Sequence, residues 1–567
     1  MQRHGIRVPV LASRQATVTL DAAPGRRHWI GVAILFSILT TAATWPQIVE
    51  PAGILPHRDS WFNMWRIAWT AHQLVRAPAH LFDANIHYPE RHTLAYSDAV
   101  LVPALVGAPG RWAGVPTPYV HTFLVMISFV LAGVGAWALV RDLTGNTVAG
   151  VAAGLIFAFT PFRFDHYMHL ELLWSGWMPL ALLAIHRALR HGRAAAGAAA
   201  GLLVAAQMLS SIYYGVYFAS VMLPLVVVLA TGLAWTALRR AAVSLGVGGL
   251  IAAMLILPYL APYRAARTTV GERGASEAAL YSAGPIHYLS ATPDNLLYGR
   301  FADRTGRPEK RLFPGLAAAL LAVIALWPPL DRVRLAYAVA LLVAVDLSFG
   351  PSGLTYEWLR EHVLPYRGLR APARAGGVAL LMIAVLAGFG WARIERAAAV
   401  RVGRRVRLLS ASALCAVAIE YVEVPRHLVR APVGAEPVYQ WLTAQPYGVV
   451  AEFPMPEEHG LPLHDAEFEY ASTFHWRPIV NGYSGNVPVS YVEMLRAMRP
   501  FPTDAGLERL RATGVRYLIL HERFFGHDGY RDATAALDSR PGLIRRGPFG
   551  PDTARSVVYE FTSSSHD

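Results

Sequence analysis

Apolar runs of about 17–25 residues, the length that crosses a bilayer as helix, alternate with short Arg-bearing turns along most of the chain. They predict about eleven spans: Trp29 to Val49, then segments near 117–140, 146–162, 172–190, 195–212, 214–235, 241–260, 313–329, 333–349, 376–393 and 406–423. Arg141, Arg187, Arg190 and Arg193, Arg239 and Arg240, Arg332 and Arg334, and the arginines from 393 to 407 all fall on the side of the N-terminus. Excess arginine marks the cytoplasmic side, so the polar tail 1–27 is placed inside and the region after the last span outside. A cleaved signal peptide ending near Ala42-Ala43 is the alternative for the first run, which is long for that role. The outer loops are long (50–116, 261–312 and 350–375) and the inner turns short, which points function outward. The apolar stretch 99–113 is broken by Pro103 and Pro109 and reads as interfacial or re-entrant.

Two segments depart from this alternation. From Trp61 to Leu74, Trp61, Met64, Trp65, Ala68, Trp69 and Leu74 recur at helical spacing, with Arg58, Arg66, His72 and Arg76 supplying a polar face. The pattern predicts an amphipathic helix lying in the membrane interface. Beyond about residue 425, YGVVAEF (447–453), 478–483, VRYLILH (515–521) and 556–561 read as strands, and 489–499, 504–513 and 530–539 as helices. The chain therefore divides into a tail 1–27, a membrane region 28–424, and a small soluble α/β domain 425–567 on the outer side.

Composition agrees with a polytopic membrane protein. Of 567 residues 54% are hydrophobic and 16% charged, against nearer a quarter charged in soluble proteins. The net charge of +13 is almost wholly arginine, Lys310 being the sole lysine. Arginine at membrane turns accounts for this excess without nucleic acid. Cys415 is the sole cysteine, so neither a disulfide framework nor a cysteine metal site is available.

The candidate chemistry lies in the outer loops. Asp59 follows the first span closely, where a lipid headgroup would sit; a carboxylate there is costly and marks function, or else caps the helix that follows. The second outer loop, TPFRFDHYMHLE, brings Arg163, Asp165, His166, His169 and Glu171 together in sequence. Asp165, His169 and Glu171 are candidate ligands for a hard ion such as Mg2+ or Mn2+, although the spacing is no zinc signature. Arg58, Arg163, Arg370 and Arg374 are candidate phosphate contacts, each with headgroup anchoring as its plain alternative. Asn63, Asn85, Tyr88, His166, Tyr213 and Tyr214 complete the candidate substrate contacts; an ordered loop explains Asn85 and Tyr88 equally, and an interfacial aromatic belt the Tyr213–Tyr214 pair. The polar clusters Glu452, Glu457, Glu458, His459, His464, Asp465 and Trp476, Arg477, Asn481, Tyr483 are acceptor-glycan candidates or plain surface.

The stretches HRDSWFNMWRIAW, LFDANIHYPERHTLAYSD, TPFRFDHYMHLELLWSGWMPLALL and LRAPARAG, in this order of loops, resemble the GT-C superfamily of polytopic glycosyltransferases. LRAPARAG also resembles a motif of YfhO-type membrane proteins linked to lipoteichoic acid glycosylation. The resemblance implies a polyprenyl-phosphate-linked sugar donor, a glycan, lipid or protein acceptor, and a bacterial envelope location in the plasma membrane. It implies Asp59 as general base of an inverting transfer. The second-loop element DHYMHLE departs from the family's usual acidic pair. Two other classes stay open: a lipid-linked glycan transporter or flippase, against which the nearly charge-free spans and absence of a repeat argue, and a non-catalytic glycan-binding scaffold, which would tolerate Asp59→Asn.

Overall fold

A computed structural model describes residues 25–301, 307–456, 464–552 and 554–562; most of the tail 1–27, and Glu457, Glu458 and His459, lie outside them. Helix α1 (Arg26–Ala43) is followed by α2 (Arg58–Arg76), α3 (Leu101–Trp112), α4 (Thr117–Thr144) and α5 (Thr147–Ala158). Among the described residues, six helical segments are long and apolar enough to cross a membrane: Thr117–Thr144, Thr147–Asp165, Leu170–His191, Ile212–Ala230, Trp235–Val270 and Pro372–Arg401. Ala194–Ser210, Leu316–Leu326 and Leu408–Ile419 are apolar but shorter. The stretch expected to be interfacial forms α3, whose 12 residues are too few to span.

The expected interfacial helix is α2, but its surroundings differ from the expectation. Phe62, Met64, Trp65, Ile67, Ala68, Trp69 and Ala71 are all buried, and so is Arg66, which the sequence pattern placed on a polar face. Residues beyond 430 cover the helix. Tyr439, Phe468, Ile479 and Tyr517 pack with Phe62, Trp65 and Trp69 in one apolar cluster. The indole N–H of Trp65 donates to Asn85 Oδ1 at 3.1 Å and that of Trp69 to the Leu81 carbonyl at 2.8 Å, so the buried rings leave no orphaned donor.

The covering layer is built on a sheet. Two short strands, β1 (Gly53–Ile54) and β2 (Val429–Arg430), pair antiparallel and tie the loop after α1 to the chain after the helix Val406–Ile419. Strands β3 (Val449–Phe453), β4 (Val515–His521), β5 (Leu543–Phe549) and β6 (Ser556–Phe561) form a sheet of order β3-β4-β6-β5, parallel between β3 and β4 and antiparallel elsewhere. Side chains alternate faces along a strand. Tyr517 and Ile519 turn toward α2, and Leu518 and Leu520 join the opposite cluster with Tyr491, Leu510 and Leu537 of the helices Val489–Ala497, Asp504–Ala512 and His527–Asp538. Burial on both faces explains why VRYLILH reads as an apolar run rather than an alternation.

The stretch 478–483, expected as a strand, makes one isolated bridge at Ile479 to Val450 and then leaves the sheet. The edge strand β5 was missed because its arginines point outward to carboxylates, Arg545 to Asp538 and Arg546 to Glu560. The short helix Asp465–Ser472 was also not foreseen; its acids Asp465 and Glu469 are buried, against the usual rule for charged residues.

Candidate active site at the head of α2

The first turn of α2 presents Asp59. His57 takes the N-cap position and its Nδ1 accepts from the Asp59 backbone N–H at 3.2 Å, with the acidic side chain in the first turn where the helix dipole favours it. His169, from the turn between the helices Pro161–Asp165 and Leu170–Leu173, places Nε2 at 3.0 Å from Asp59 Oδ2. The Tyr483 phenol donates to Asp59 Oδ1 at 2.8 Å. His57 Nδ1 also lies 3.4 Å from Oδ2, and the Asp59 side chain keeps 18% of its surface exposed.

Burial alone would push the Asp59 carboxyl up, but His169, His57 and the Tyr483 hydrogen bond outweigh it and hold the group well below the usual carboxylate range. Burial and the Asp59 charge push the Tyr483 phenol up, so it stays a donor. Burial is the main cause of the lowered pKa of His57, and the Asp59 charge works against it. The site thus holds an ionised, half-shielded carboxylate able to accept a proton from a hydroxyl.

A second charged group stands beside it. Glu309, in the turn Pro308–Lys310, reaches Arg374 at 3.5 Å, and the Arg374 guanidinium lies 4.5 Å over the Tyr213 ring. Burial would raise Glu309, but Arg374 and then His166 and His169 pull it to about 2. Arg370 stacks over Tyr281 at 5.5 Å, and its backbone N–H donates to the Tyr213 hydroxyl. The charges of Arg58 and Arg370 both reach Tyr483, and Arg58 adjoins Asp59 in the chain. Among the described residues neither has a carboxylate partner, which leaves two guanidiniums free for an anion.

Asn63, Arg66, Asp98 and Glu171 form the floor. Arg66 donates to Asn63 Oδ1, to the Asp98 carbonyl and to Glu171 Oε2, the last at 3.2 Å. Asn63 Nδ2 donates to the Met168 carbonyl at 2.7 Å, so it holds the His169 turn against α2.

Several expected contacts take other places. Arg163 is buried, donating to Ser175 Oγ at 2.5 Å and the Ser128 carbonyl at 3.3 Å, with its guanidinium over Phe129; it pins helices and cannot reach a headgroup. Asn85 spends its amide on Trp65, Ser472 and the Arg477 carbonyl. Tyr88 lies away from Asp59, on a cleft with Val480, Met494 and Arg509. Tyr214 is buried, its hydroxyl against Gly377. His166 is buried with Nδ1 on the Phe162 carbonyl, and burial lowers it to about 3.

The proposed metal ligands do not converge. Asp165 pairs with Arg311 at 2.8 Å, Glu171 with Arg66, and His169 with Asp59, and no group of three such side chains among the described residues fits an ion. Each acid already has a cation, which removes the charge an ion would need.

Sequence reasoning missed His57 and Glu309, and took Tyr483 for an acceptor-glycan contact or plain surface at the end of an expected strand. His57 carried a signal, sitting at the N-cap position of a visible helix. Glu309 and Tyr483 had none, since only the fold brings them to Asp59.

The model of a family described as a domain of unknown function, DUF6311, matches residues 23–350. The chain belongs to the DUF6311 family. No curated protein matches this DUF6311 member. Among solved structures, the arabinofuranosyltransferase AftD from Mycobacteria superposes with a TM-score of 0.64 at 17% identity, over 96% of this chain and 40% of that one. A mutant of the same enzyme gives 0.61 over 96% and 42%. The archaeal oligosaccharyltransferase AglB from Archaeoglobus fulgidus, in complex with an inhibitory peptide and a dolichol-phosphate, gives 0.47 at 13% identity over 95% and 75%. The DUF6311 member thus spans less than half of AftD and shares its fold over that length.

Proposed function

We propose that the protein is a membrane glycosyltransferase that moves a sugar from a polyprenyl-phosphate donor to an acceptor hydroxyl at the outer membrane surface. The observation that carries the reading is the ionised, partly exposed Asp59 bonded to Tyr483, whose surroundings include Arg58 and Arg370, neither paired with a carboxylate among the described residues. In the reaction, Asp59 takes the proton of the acceptor hydroxyl as that oxygen bonds to the anomeric carbon. The bond from that carbon to the phosphate oxygen breaks, its electron pair leaves with the lipid phosphate, and the arginines meet the growing charge. Attack opposite the leaving group inverts the anomeric centre.

The same reading puts the chain in a bacterial plasma membrane with about eleven spans, formed by the six long apolar helices, the three shorter ones, α1 and the helix Arg332–Ser348, with the tail inside and residues 425–567 outside. The acceptor is a glycan, a lipid or a protein. AftD is by name an arabinofuranosyltransferase, which makes a polyprenyl-phosphoryl arabinofuranose the first donor to try.

The test uses full-length protein in nanodiscs, a panel of synthetic polyprenyl-phosphoryl sugars, and Asp59→Asn beside wild type. Loss of a general base lowers transfer about 10²–10⁴-fold. Equal transfer by Asp59→Asn and wild type would falsify the assignment; a flippase or scaffold transfers no sugar with either.

A further inference from the structure

We infer that Tyr483 is a positioning residue for Asp59, so that the segment beyond the last span completes the active centre rather than merely covering it. The inference rests on the reading of Asp59 as the base, and it names the group that aims this base. Tyr483 and His169 each hold one carboxylate oxygen, at 2.8 and 3.0 Å, from opposite ends of the sequence. With Oδ1 on the phenol and Oδ2 on His169 and 3.4 Å from His57 Nδ1, the carboxylate is held at both oxygens.

The way Tyr483 is mounted supports a dedicated role. It rides on residues 478–486, which leave the sheet after Ile479 and run along the first outer loop. The Ile479 N–H donates to the Asn85 carbonyl at 2.8 Å, and the N–H groups of His87 and Tyr88 donate back to the carbonyls of Asn481 and Ile479, each at 3.0 Å. The Asn481 side chain is tied to both backbone groups of Glu452 and to Asp465. The Tyr483 N–H donates to Glu469 Oε1 at 2.5 Å, and Asn486 Nδ2 donates to the Tyr96 carbonyl at 2.9 Å. Its ring stands edge-on to Phe62 at 5.4 Å. Asn481, Asp465 and Glu469 are all fully buried. A loop needed only for docking would use apolar contacts. Here buried Asn481, backed by Asp465, anchors the segment before the phenol, Glu469 holds the Tyr483 N–H and Asn486 anchors the segment after it, and that phenol ends on the carboxylate.

A hydrogen bond to a charged group favours the charged form, so its removal makes Asp59 easier to protonate. Carbodiimides react with protonated carboxyls, and peptide mapping by mass spectrometry reads the labelling at each acid separately. The experiment compares full-length wild type, Tyr483→Phe and His169→Gln in nanodiscs with dicyclohexylcarbodiimide at about pH 5.5, where the Asp59 carboxyl is largely ionised. Tyr483→Phe is expected to label at Asp59 about tenfold to a hundredfold faster than wild type, with labelling of Asp98 unchanged as the internal reference. Equal rates at Asp59 overturn the inference. If Tyr483→Phe does not fold, 3-fluorotyrosine at position 483 keeps the shape and gives a 19F resonance. That resonance is expected to move in Asp59→Asn and stay put in Glu493→Gln; no response to Asp59→Asn overturns the inference. No sugar is needed in either measurement, so failure here is distinct from failure of the transferase reading, which Asp59→Asn decides by activity.

Discussion

Tyr483 and Asp59 lie 424 positions apart and share a hydrogen bond of 2.8 Å. That contact joins the two regions that the sequence separates, and it makes the head of α2 a meeting point of the loop after α1, the turn carrying His169 and the C-terminal segment. Several consequences of this geometry can be measured.

Among the described residues Arg58 and Arg370, whose charges reach Tyr483, have no carboxylate partner, whereas Arg374 is already paired with Glu309. Removing one charge-assisted contact to phosphate weakens binding by about 1.5–3 kcal/mol. Arg370→Gln is therefore expected to weaken binding of undecaprenyl phosphate roughly tenfold to a hundredfold, measured by native mass spectrometry in nanodiscs. Arg163→Gln serves as the control, since Arg163 faces Ser175 and Ser128 inside the bundle. If the two variants bind alike, the phosphate site lies elsewhere.

Arg66 and Glu171 form a buried pair at 3.2 Å with both side chains shielded from water. Removing one partner leaves an uncompensated charge, at a cost of about 3–5 kcal/mol, whereas removing both as apolar side chains costs much less. Arg66→Met is expected to lower the unfolding temperature sharply, and Arg66→Met with Glu171→Leu to recover most of the loss. Thermal unfolding followed by intrinsic fluorescence checks this. A double variant no better than the single one would mean that Arg66 acts mainly through Asn63 and the Asp98 carbonyl.

How far the sequence reveals this arrangement depends on the range of each interaction. Asp59, the helix beginning beside it and the acid- and histidine-bearing second loop are legible because helical periodicity, capping and span length are local properties. The meeting of His169 with Asp59 is consistent with both lying in outer loops, yet the role of His169 as a hydrogen-bond donor to a carboxylate, not a metal ligand, depends on distances that only the fold sets. Arg163 and Asn85 misled for one reason: their types suit a ligand, but buried serine and carbonyl groups of the protein itself use the same donors. Arg66 misled similarly, since a helical wheel shows a polar face without showing that a buried Glu171 awaits it. The contact of Tyr483 was beyond reach altogether, because no local pattern marks a side chain whose partner is 424 residues away.

Asp98 gives a pH dependence of known sign. Burial first, then the neighbouring Glu171 charge, pushes its carboxyl up to about 7. The unfolded chain loses this proton near the ordinary value of about 3.9, and the folded protein keeps it until about 7. Between these values the folded state binds more protons, so stability falls as pH rises through that window and levels off above it. Asp98→Asn keeps an oxygen for the Ile212 N–H, which Asp98 Oδ1 accepts at 2.9 Å. The variant is expected to flatten the decline in unfolding temperature between about pH 5 and 8. The same decline in both proteins would show that Asp98 is not its source.

Gly482, next to Tyr483, has no room for a side chain. A Cβ there would lie 2.3 Å from His87 Cε1 and 2.4 Å from both ring nitrogens. The His87 ring cannot withdraw, being buried between Tyr96 and Tyr491 with ring centroids 6.1 and 5.1 Å away. Gly482→Ala must therefore displace the segment carrying Tyr483, and overpacking of this kind costs about 1–3 kcal/mol. The variant is expected to unfold at lower temperature and to label at Asp59 faster than wild type, as Tyr483→Phe does. Trimming the obstacle with His87→Ala in the same chain is expected to return the labelling rate toward the wild-type value. A double variant that regains stability while Asp59 still labels fast would mean that His87, not the space at Gly482, sets the position of the phenol.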